Sequence, residues 1–266
     1  CTGPMIAASP QLRWIQLGAA GIERLLALPE LRGREILLTN MKRAAGPVIA
    51  EHTFAMLLSL TRALHRHTLS PFPSPDTYMA AGPASLQHRR LLVAGYGGIG
   101  SEVARLGRAF GMHVTVVRSR DGADADGIHF DSITNLRELA AAADVVVNAL
   151  PLTTGTRGLF DTAFFDALRP GAYFVNVARG ESVVTDALVA ALRSRQLAGA
   201  ALDVTDPEPL PRRHPLRTMR NVVITPHVAG HARETQAREW LVKRENLRRY
   251  CAGEPMLSVV DPARGY

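Results

Sequence analysis

Cysteine is nearly absent from this chain: two in 266 residues, Cys1 and Cys251. Two cysteines make no disulfide framework, so an ordinary hydrophobic core must hold the fold, as expected in a reducing cytoplasm. Lysine is equally scarce, with Lys42 and Lys243 alone, so the net charge of +7 comes from arginines scattered along the chain, such as Arg90, Arg105, Arg169, Arg193 and Arg212. There is no dense basic run with interleaved aromatics and no nucleic-acid motif. The surplus charge is therefore read as an arginine- and alanine-rich composition bias, with some arginines placed to attract anionic small molecules, and nucleic acid is not an expected partner. Metal-ligand spacing is missing too, because His65-Arg66-His67 and the pair His227 and His231 have no third ligand at a fitting distance. No membrane span or secretory leader is visible. The longest apolar segment, Gly46 to Leu64, contains Glu51, His52 and Arg62 and reads as a buried globular helix.

What is present is an alternation. Strands are expected at Leu12–Leu17, Glu35–Thr39, Leu91–Ala94, His113–Val117, Asp144–Asn148, Ala172–Val177, Ala198–Leu202 and Val222–Ile224. Between them lie helical patterns at Ser101–Phe110, Leu136–Ala142, Thr162–Leu168 and Thr185–Arg195. Near-continuous apolar strands alternating with helices imply an α/β fold with a Rossmann-like, doubly wound parallel sheet. We expect a first unit over 1–64, a dinucleotide-binding domain over 65–228, and a C-terminal helix and tail over 229–266 returning to the first unit. That last helix, Arg233 to Cys251, is read as amphipathic with Trp240, Leu241, Leu247 and Tyr250 on its apolar side. Leu69 to Gln87 carries Pro71, Pro73, Pro75, Gly82 and Pro83 and reads as a linker or protruding arm.

Leu91 to Gly100 is an apolar strand running into Gly95-Tyr96-Gly97-Gly98-Ile99-Gly100. In such a loop the first glycine allows a sharp turn, the second lets backbone approach a pyrophosphate, and the third lets helix pack on strand. The phosphates then rest on free N–H groups at the helix N-terminus. G-x-G-x-x-G alone is weak evidence. Here the strand before it, the helix after it and the next strand are all present, which favours a dinucleotide site over a chance glycine turn. Where that next strand ends, an NAD site normally has an acid for the ribose 2′-hydroxyl. This chain reads Arg118-Ser119-Arg120, with no acid until Asp121. Two arginines and a hydroxyl suit a 2′-phosphate by charge and bidentate geometry, so NADPH is favoured. Asp121 keeps NADH open.

Three further stretches each follow an apolar strand: Asn176-Val177-Ala178-Arg179-Gly180, Asp203 through Glu208-Pro209, and Thr225-Pro226-His227 through Gly230. Each therefore delivers a polar side chain past the carboxyl end of a buried strand, which is where ligands sit in an open α/β sheet. Singly, Arg179 reads as a surface ion-pair former, Glu208 as a solvated loop acid and His227 as a capping residue. Together they supply an oxyanion-binding cation, a carboxylate to hold an imidazole, and a proton carrier.

These residues, in this order along nearly the whole chain, resemble the D-isomer-specific 2-hydroxyacid dehydrogenase family. The resemblance also takes in Leu12 to Gln16, Ala20-Gly21-Ile22-Glu23, Ile49 to His52, Leu150-Pro151-Leu152 through Thr156-Arg157-Gly158, and Gly253 to Leu257. It implies a two-domain NAD(P)-dependent reductase of small 2-oxo acids, of the glyoxylate or hydroxypyruvate class, with a smaller flavodoxin-like substrate domain. It further implies that Arg179 binds the substrate carboxylate and carbonyl oxygen, that His227 donates the proton, and that Glu208 holds His227 and stabilises its imidazolium form. The cofactor would lie along Gly95, Gly97, Gly98, Ile99, Gly100, Arg118, Ser119, Arg120, Leu150, Pro151, Thr156, Val177, Ala178, Arg179, Asp203, His227 and Gly230. Asp203 would meet the nicotinamide carboxamide or support the Glu208–His227 pair. Backbone N–H groups at Ala20 and Gly21 would hold the substrate carboxylate.

Glu208 in place of a Gln argues against a formate dehydrogenase of the same superfamily. The other reading is a catalytically weak, cofactor-sensing corepressor or scaffold on the same fold. Family members carry more βα units before the strand at Leu12, so the substrate domain is expected to be incomplete at its N-terminus in this sequence, which opens on Cys1. A homodimer is expected along Pro47–Leu64 and the arm, with Phe54, Leu57, Leu58 and Phe72 as candidate interface residues.

Overall fold

Two short strands, β1 (Trp14–Gln16) and β2 (Leu37–Thr39), pair in parallel near the start of the chain, beside helices α1 (Gly3–Ala7) and α2 (Glu23–Leu26). They come from a computed structural model that describes residues 2–42, 44–67, 74–80, 82–119 and 124–262, the side chains of Thr77 and Ala80 excepted. Ile6, Ile15, Ile22, Leu25, Leu38 and Val260 form the core of this unit. The C-terminal tail closes it, because Val260 N donates to Leu38 O and Asn40 N donates to Ser258 O.

Helices α3 (Gly46–Thr61), α4 (Leu64–His67) and α5 (Pro75–Ala80) lead into the larger unit. Its strands are β3 (Arg90–Ala94), β4 (His113–Arg118), β5 (Ile128–Ser132), β6 (Val145–Asn148), β7 (Ala172–Asn176), β8 (Leu197–Leu202) and β9 (Val222–Ile224). Between them run α6 (Gly98–Ala109), α7 (Leu136–Ala140), α8 (Thr162–Ala167) and α9 (Thr185–Arg193). The strand order is β5-β4-β3-β6-β7-β8-β9, with every pair parallel. Order along the chain reverses between β3 and β6, the switch point at which doubly wound sheets take their ligands.

Strand side chains alternate between two cores. Leu92, Ala94, Val146 and Phe174 face a layer containing Leu136, Phe164 and Leu188, while Leu91, Val93, Val145, Val147 and Val175 face one containing Leu57, Val103 and Ala104. Both faces are covered, which is why these strands read as unbroken apolar runs.

The expected strands are all found. Strand β5 was not expected: Ile128-His129-Phe130-Asp131-Ser132 lacks an apolar run because it forms the sheet edge, where one flank stays wet.

The unit boundary expected after Leu64 does not match the packing. Ala50, Phe54, Met56, Leu57 and Leu60 of α3 are buried in the core of the large sheet, and Phe54 stacks on Phe110 at 4.9 Å. Chain order placed α3 in the first unit, but a helix this apolar goes where the larger apolar surface is. The same burial withdraws Phe54 and Leu57 as interface residues, since each already belongs to its own subunit's core. Phe72 lies outside the described residues. The described part of the arm turns back on its own chain, with Arg62 Nε and Nη2 donating to Tyr78 Oη at 3.1 and 3.0 Å.

Helix α10 (Arg233–Ala252) does return to the first unit, where Tyr250 stacks on Trp14 at 4.9 Å. Its burial pattern departs from the expected one. Trp240, Leu241 and Leu247 are each more than half exposed, whereas Thr235 and Asn246 are buried. Asn246 lies inside because its amide serves three partners, donating to Gln16 Oε1 and Leu257 O and accepting from Leu257 N. Among the described residues no helix is long and apolar enough to cross a membrane.

At the amino edge of the sheet, buried Asp144 accepts from Arg89 Nη1 at 3.2 Å, from Arg90 N at 2.8 Å and from Arg169 Nη1. It ties the starts of β3 and β6 together, far from the opposite edge where ligands would bind. Asp144→Ala should cost about 1–3 kcal/mol, chiefly through the unsatisfied Arg90 amide, since both arginines can regain water. Chemical denaturation reads this directly. A stability unchanged within a few tenths of a kcal/mol would show that the ion pairs are ornamental.

Candidate active site

One register row crosses the large sheet: Val117, Ala94, Asn148, Asn176, Leu202 and Ile224 are successive partners on neighbouring strands. The chain leaves every one of these strands at the same height. The glycine loop follows Ala94, Leu150-Pro151 follows Asn148, Arg179 follows Asn176, the Asp203–Glu208 loop follows Leu202, and His227 follows Ile224. Parallel pairing thus turns five separate segments into one rim.

Buried asparagines brace that rim. Asn148 Nδ2 donates to Asn176 Oδ1 at 3.0 Å and to Ser182 Oγ at 2.7 Å, while Asn148 Oδ1 accepts from Leu150 N. Asn176 Nδ2 and Ser182 Oγ both donate to the backbone oxygen of Arg179, at 2.9 and 2.7 Å. Ala178 N donates to Asn176 Oδ1. Every polar group in this network has a partner, so it fixes where Arg179 emerges. Neither asparagine was singled out for this role from the sequence, and the strand-terminal Asn of both β6 and β7 was the available signal.

The Arg179 guanidinium reaches out of the large unit to the loop that follows β1. Its Nε donates to Glu23 Oε1 at 3.0 Å and its Nη1 to Ala178 O at 2.7 Å. Gly21 lies directly under it, and a methyl group at Gly21 would collide with Nη2. Buried Asn40 holds this loop, donating through Nδ2 to Ala20 O at 2.7 Å. Arg179 and the Ala20-Gly21 loop, which the sequence places far apart, therefore share one cleft.

Further along the rim, His227 Nδ1 donates to Glu208 Oε1 at 2.7 Å, and Glu208 Oε2 accepts from Thr205 N at 3.4 Å. Nε2 is then the ring nitrogen free to serve another group. His227 has φ of 55°, a left-handed conformation unusual for a residue with a side chain. Asp203 sustains it. Its backbone oxygen accepts from His227 N, and its buried carboxylate accepts from Val228 N at 2.9 Å, Ala229 N at 3.0 Å and Thr225 Oγ1 at 2.6 Å. These bonds tie Asp203 to the loop that carries His227. From α3, His52 Nε2 meets Thr225 Oγ1 at 3.0 Å. Thr225 gives its proton to the carboxylate, so His52 is the donor in that contact.

The glycine loop suits a dinucleotide pyrophosphate. Gly95 sits at φ of 102°, where side chains are strained, and a methyl at Gly100 would collide with Gly95 O. Gly97 has open space where its side chain would be. The first helical bond of this turn is Ser101 N to Gly97 O, so the amides before it remain available for an anion. Along the rim, Thr156 Oγ1 donates to Pro151 O and closes the turn after Leu150, and a methyl group at Gly230 would reach Ala45 and Ile49.

At the end of β4, the Arg118 guanidinium lies 3.9 Å from the Phe130 ring centroid and 5.8 Å from that of Tyr96 in the glycine loop. Its Nε is buried without a hydrogen-bond partner. A planar cation held on aromatic faces beside the loop fits a phosphorylated ribose. Ser119 beside it is exposed, while Arg120 and Asp121 lie outside the described residues.

Residues 54–229 match the family model for the NAD binding domain of D-isomer specific 2-hydroxyacid dehydrogenases. A human glyoxylate reductase/hydroxypyruvate reductase is 33% identical over 257 residues, which cover 95% of this chain and 78% of that protein. A D-isomer specific 2-hydroxyacid dehydrogenase from Xanthobacter autotrophicus Py2, solved with NADPH and MES, superimposes with a TM-score of 0.82 at 33% identity, covering 98% of this chain and 81% of that one. The NADPH-dependent glyoxylate/hydroxypyruvate reductase of Sinorhizobium meliloti, solved with NADP and sulfate, gives 0.83 at 26% identity, covering 100% and 84%.

Proposed function

Since this chain belongs to the D-isomer specific 2-hydroxyacid dehydrogenase family, we propose that it reduces small 2-oxo acids of the glyoxylate and hydroxypyruvate class with NADPH, using Arg179, Glu208 and His227. Family membership makes it an NAD(P)-dependent enzyme of 2-oxo and 2-hydroxy acids. The finer reading is supported most by the 2.7 Å pair of His227 and Glu208 on the same rim of the sheet as Arg179. When bound, the reduced nicotinamide supplies the hydride that adds to the carbonyl carbon.

The protein supplies the rest. Arg179 and the amides near Ala20 and Gly21 hold the carboxylate and polarise the carbonyl oxygen. His227 Nε2 gives that oxygen its proton as negative charge develops there, and in the reverse direction takes it back. Glu208, bonded to Nδ1, keeps the ring oriented and compensates the charge of the imidazolium. NADPH is preferred to NADH on the strength of Arg118, and the NADP-bound relatives are in line with that choice. NADPH oxidation with glyoxylate, hydroxypyruvate, pyruvate and phenylpyruvate tests the proposal. NADPH binding without turnover of any of them would favour the cofactor-sensing scaffold instead.

The working form is proposed to be a homodimer along the outer side of α3 and the segment 69–87. Phe54 and Leu57 face inward, so the outward Ala55 is the position to probe. Ala55→Arg should turn a dimer into a monomer in light scattering without loss of thermal stability. A wild-type monomer at micromolar concentration would remove the proposal.

A further inference from the structure

Thr225 directly follows β9, two residues before His227, and its hydroxyl has three polar neighbours. Asp203 Oδ1 lies at 2.6 Å, His52 Nε2 at 3.0 Å and Met56 Sδ at 3.4 Å. His52 and Met56 are one turn apart on α3. A hydroxyl has a single proton to give. It goes to the carboxylate, the closer and charged acceptor, because a thioether accepts too weakly to compete. By donating to Thr225, His52 holds the hydroxyl in the rotation that serves Asp203.

The chain of bonds continues past Asp203. The same Oδ1 accepts from Val228 N and Oδ2 from Ala229 N, the two amides that follow His227. His52 Nε2 also stands 3.7 Å from Asp203 Oδ1, on a carboxylate with 2% of its side chain exposed. Such a buried group depends on every donor it has. At the other end of the chain of bonds, α3 is firmly fixed. Ala50, Phe54 and Leu57 anchor it in the core of the large sheet, and a methyl group at Gly46 would collide with Gly98 O in the glycine loop. A donor on such a helix sets its partner more precisely than one on a loop. The left-handed backbone of His227 needs that precision, since a strained conformation persists only where its surroundings over-determine it.

We propose that His52 is a positioning residue for proton transfer, acting through Thr225 and Asp203 on the loop that carries His227. This rests on the reduction proposed above.

Three variants test the chain of bonds. His52→Leu removes the donor and should lower kcat by about 10-fold, the rate equivalent of one hydrogen bond. Its KM for NADPH should move by less than about 2-fold, because the glycine loop leaves a different strand. His52→Gln should bring kcat back to within about 3-fold of wild type, since its side-chain amide can donate to Thr225. Thr225→Val breaks the middle of the chain, so adding His52→Leu to it should cost less than about 2-fold more. If leucine packs badly and NADPH binding is lost, the more adaptable His52→Met takes its place. Hydrogen exchange at the Val228 and Ala229 amides reads the same link without turnover. It should quicken by about 10-fold in His52→Leu and slow again in His52→Gln.

Wild-type kcat in His52→Leu, a loss that glutamine does not restore, or additive losses with Thr225→Val would each overturn the proposal and leave His52 as a packing residue of α3. If the wild type reduces no 2-oxo acid while amide exchange follows the expected pattern, the proposed reaction falls and the hold of His52 on the His227 loop stands.

Discussion

His227→Ala is expected to lower kcat by ~10²- to 10⁴-fold, the range for loss of a positioned general acid. The left-handed backbone at His227 complicates this substitution, because alanine there is strained while asparagine is tolerated well. His227→Asn is the cleaner variant: it keeps the loop and lacks a titratable proton donor. Both should bind NADPH with nearly wild-type affinity, since the glycine loop and Arg118 lie on other strands. Glu208→Gln should retain the hydrogen bond to Nδ1 but lose the compensating charge, giving a smaller fall in kcat. Steady-state kinetics with cofactor affinities measured separately will check this. Wild-type turnover in His227→Asn would remove His227 from the proposed role.

Replacing Arg118 and Arg120 together by alanine should weaken NADPH binding by ~2–4 kcal/mol, counting charge-assisted contacts at ~1.5–3 each with some redundancy. Affinity for NADH should hardly change. Arg118 should carry the larger share, because its guanidinium is already held on Phe130 near Tyr96 and needs little ordering on binding. Arg118→Lys should fall between wild type and alanine, keeping the charge but losing the flat stack and the fork. Direct titration with both cofactors provides the readout. A wild type that prefers NADH by kcat/KM would show that the loop after β4 has been misread.

The sequence was informative wherever burial and chemistry coincided within a few residues. Apolar runs ending in Arg179, Glu208 or His227 located both the strands and the rim, because a strand covered on both faces has to be apolar and has to stop where solvent begins. The glycine spacing was legible for a similar reason, since each glycine answers a local steric demand. What escaped was set by distant partners. Glu23 lies in a stretch the resemblance marks, but its bond to Arg179 across 156 residues follows from no local pattern. Asp203 was expected to meet the nicotinamide carboxamide or support the Glu208–His227 pair, and the sequence did not show that it collects the amides of Val228 and Ala229. Helix α3 was assigned to the wrong neighbour because its apolar composition shows that it is buried without showing against what. In α10 the inward residue is Asn246, chosen by three hydrogen bonds, and a count of apolar positions could not find it.

The register row that aligns the strand ends also keeps them apart. Arg118 leaves β4 and His227 follows β9, with five strand spacings between them, about 24 Å at the usual distance per strand. Groups so far apart, with no partner in common, contribute nearly independently. In the proposed roles, the choice of dinucleotide at Arg118 can therefore be retuned without re-optimising proton transfer at His227. Arg179 has no such freedom, because it shares a bond with Glu23 and a change in either alters the other.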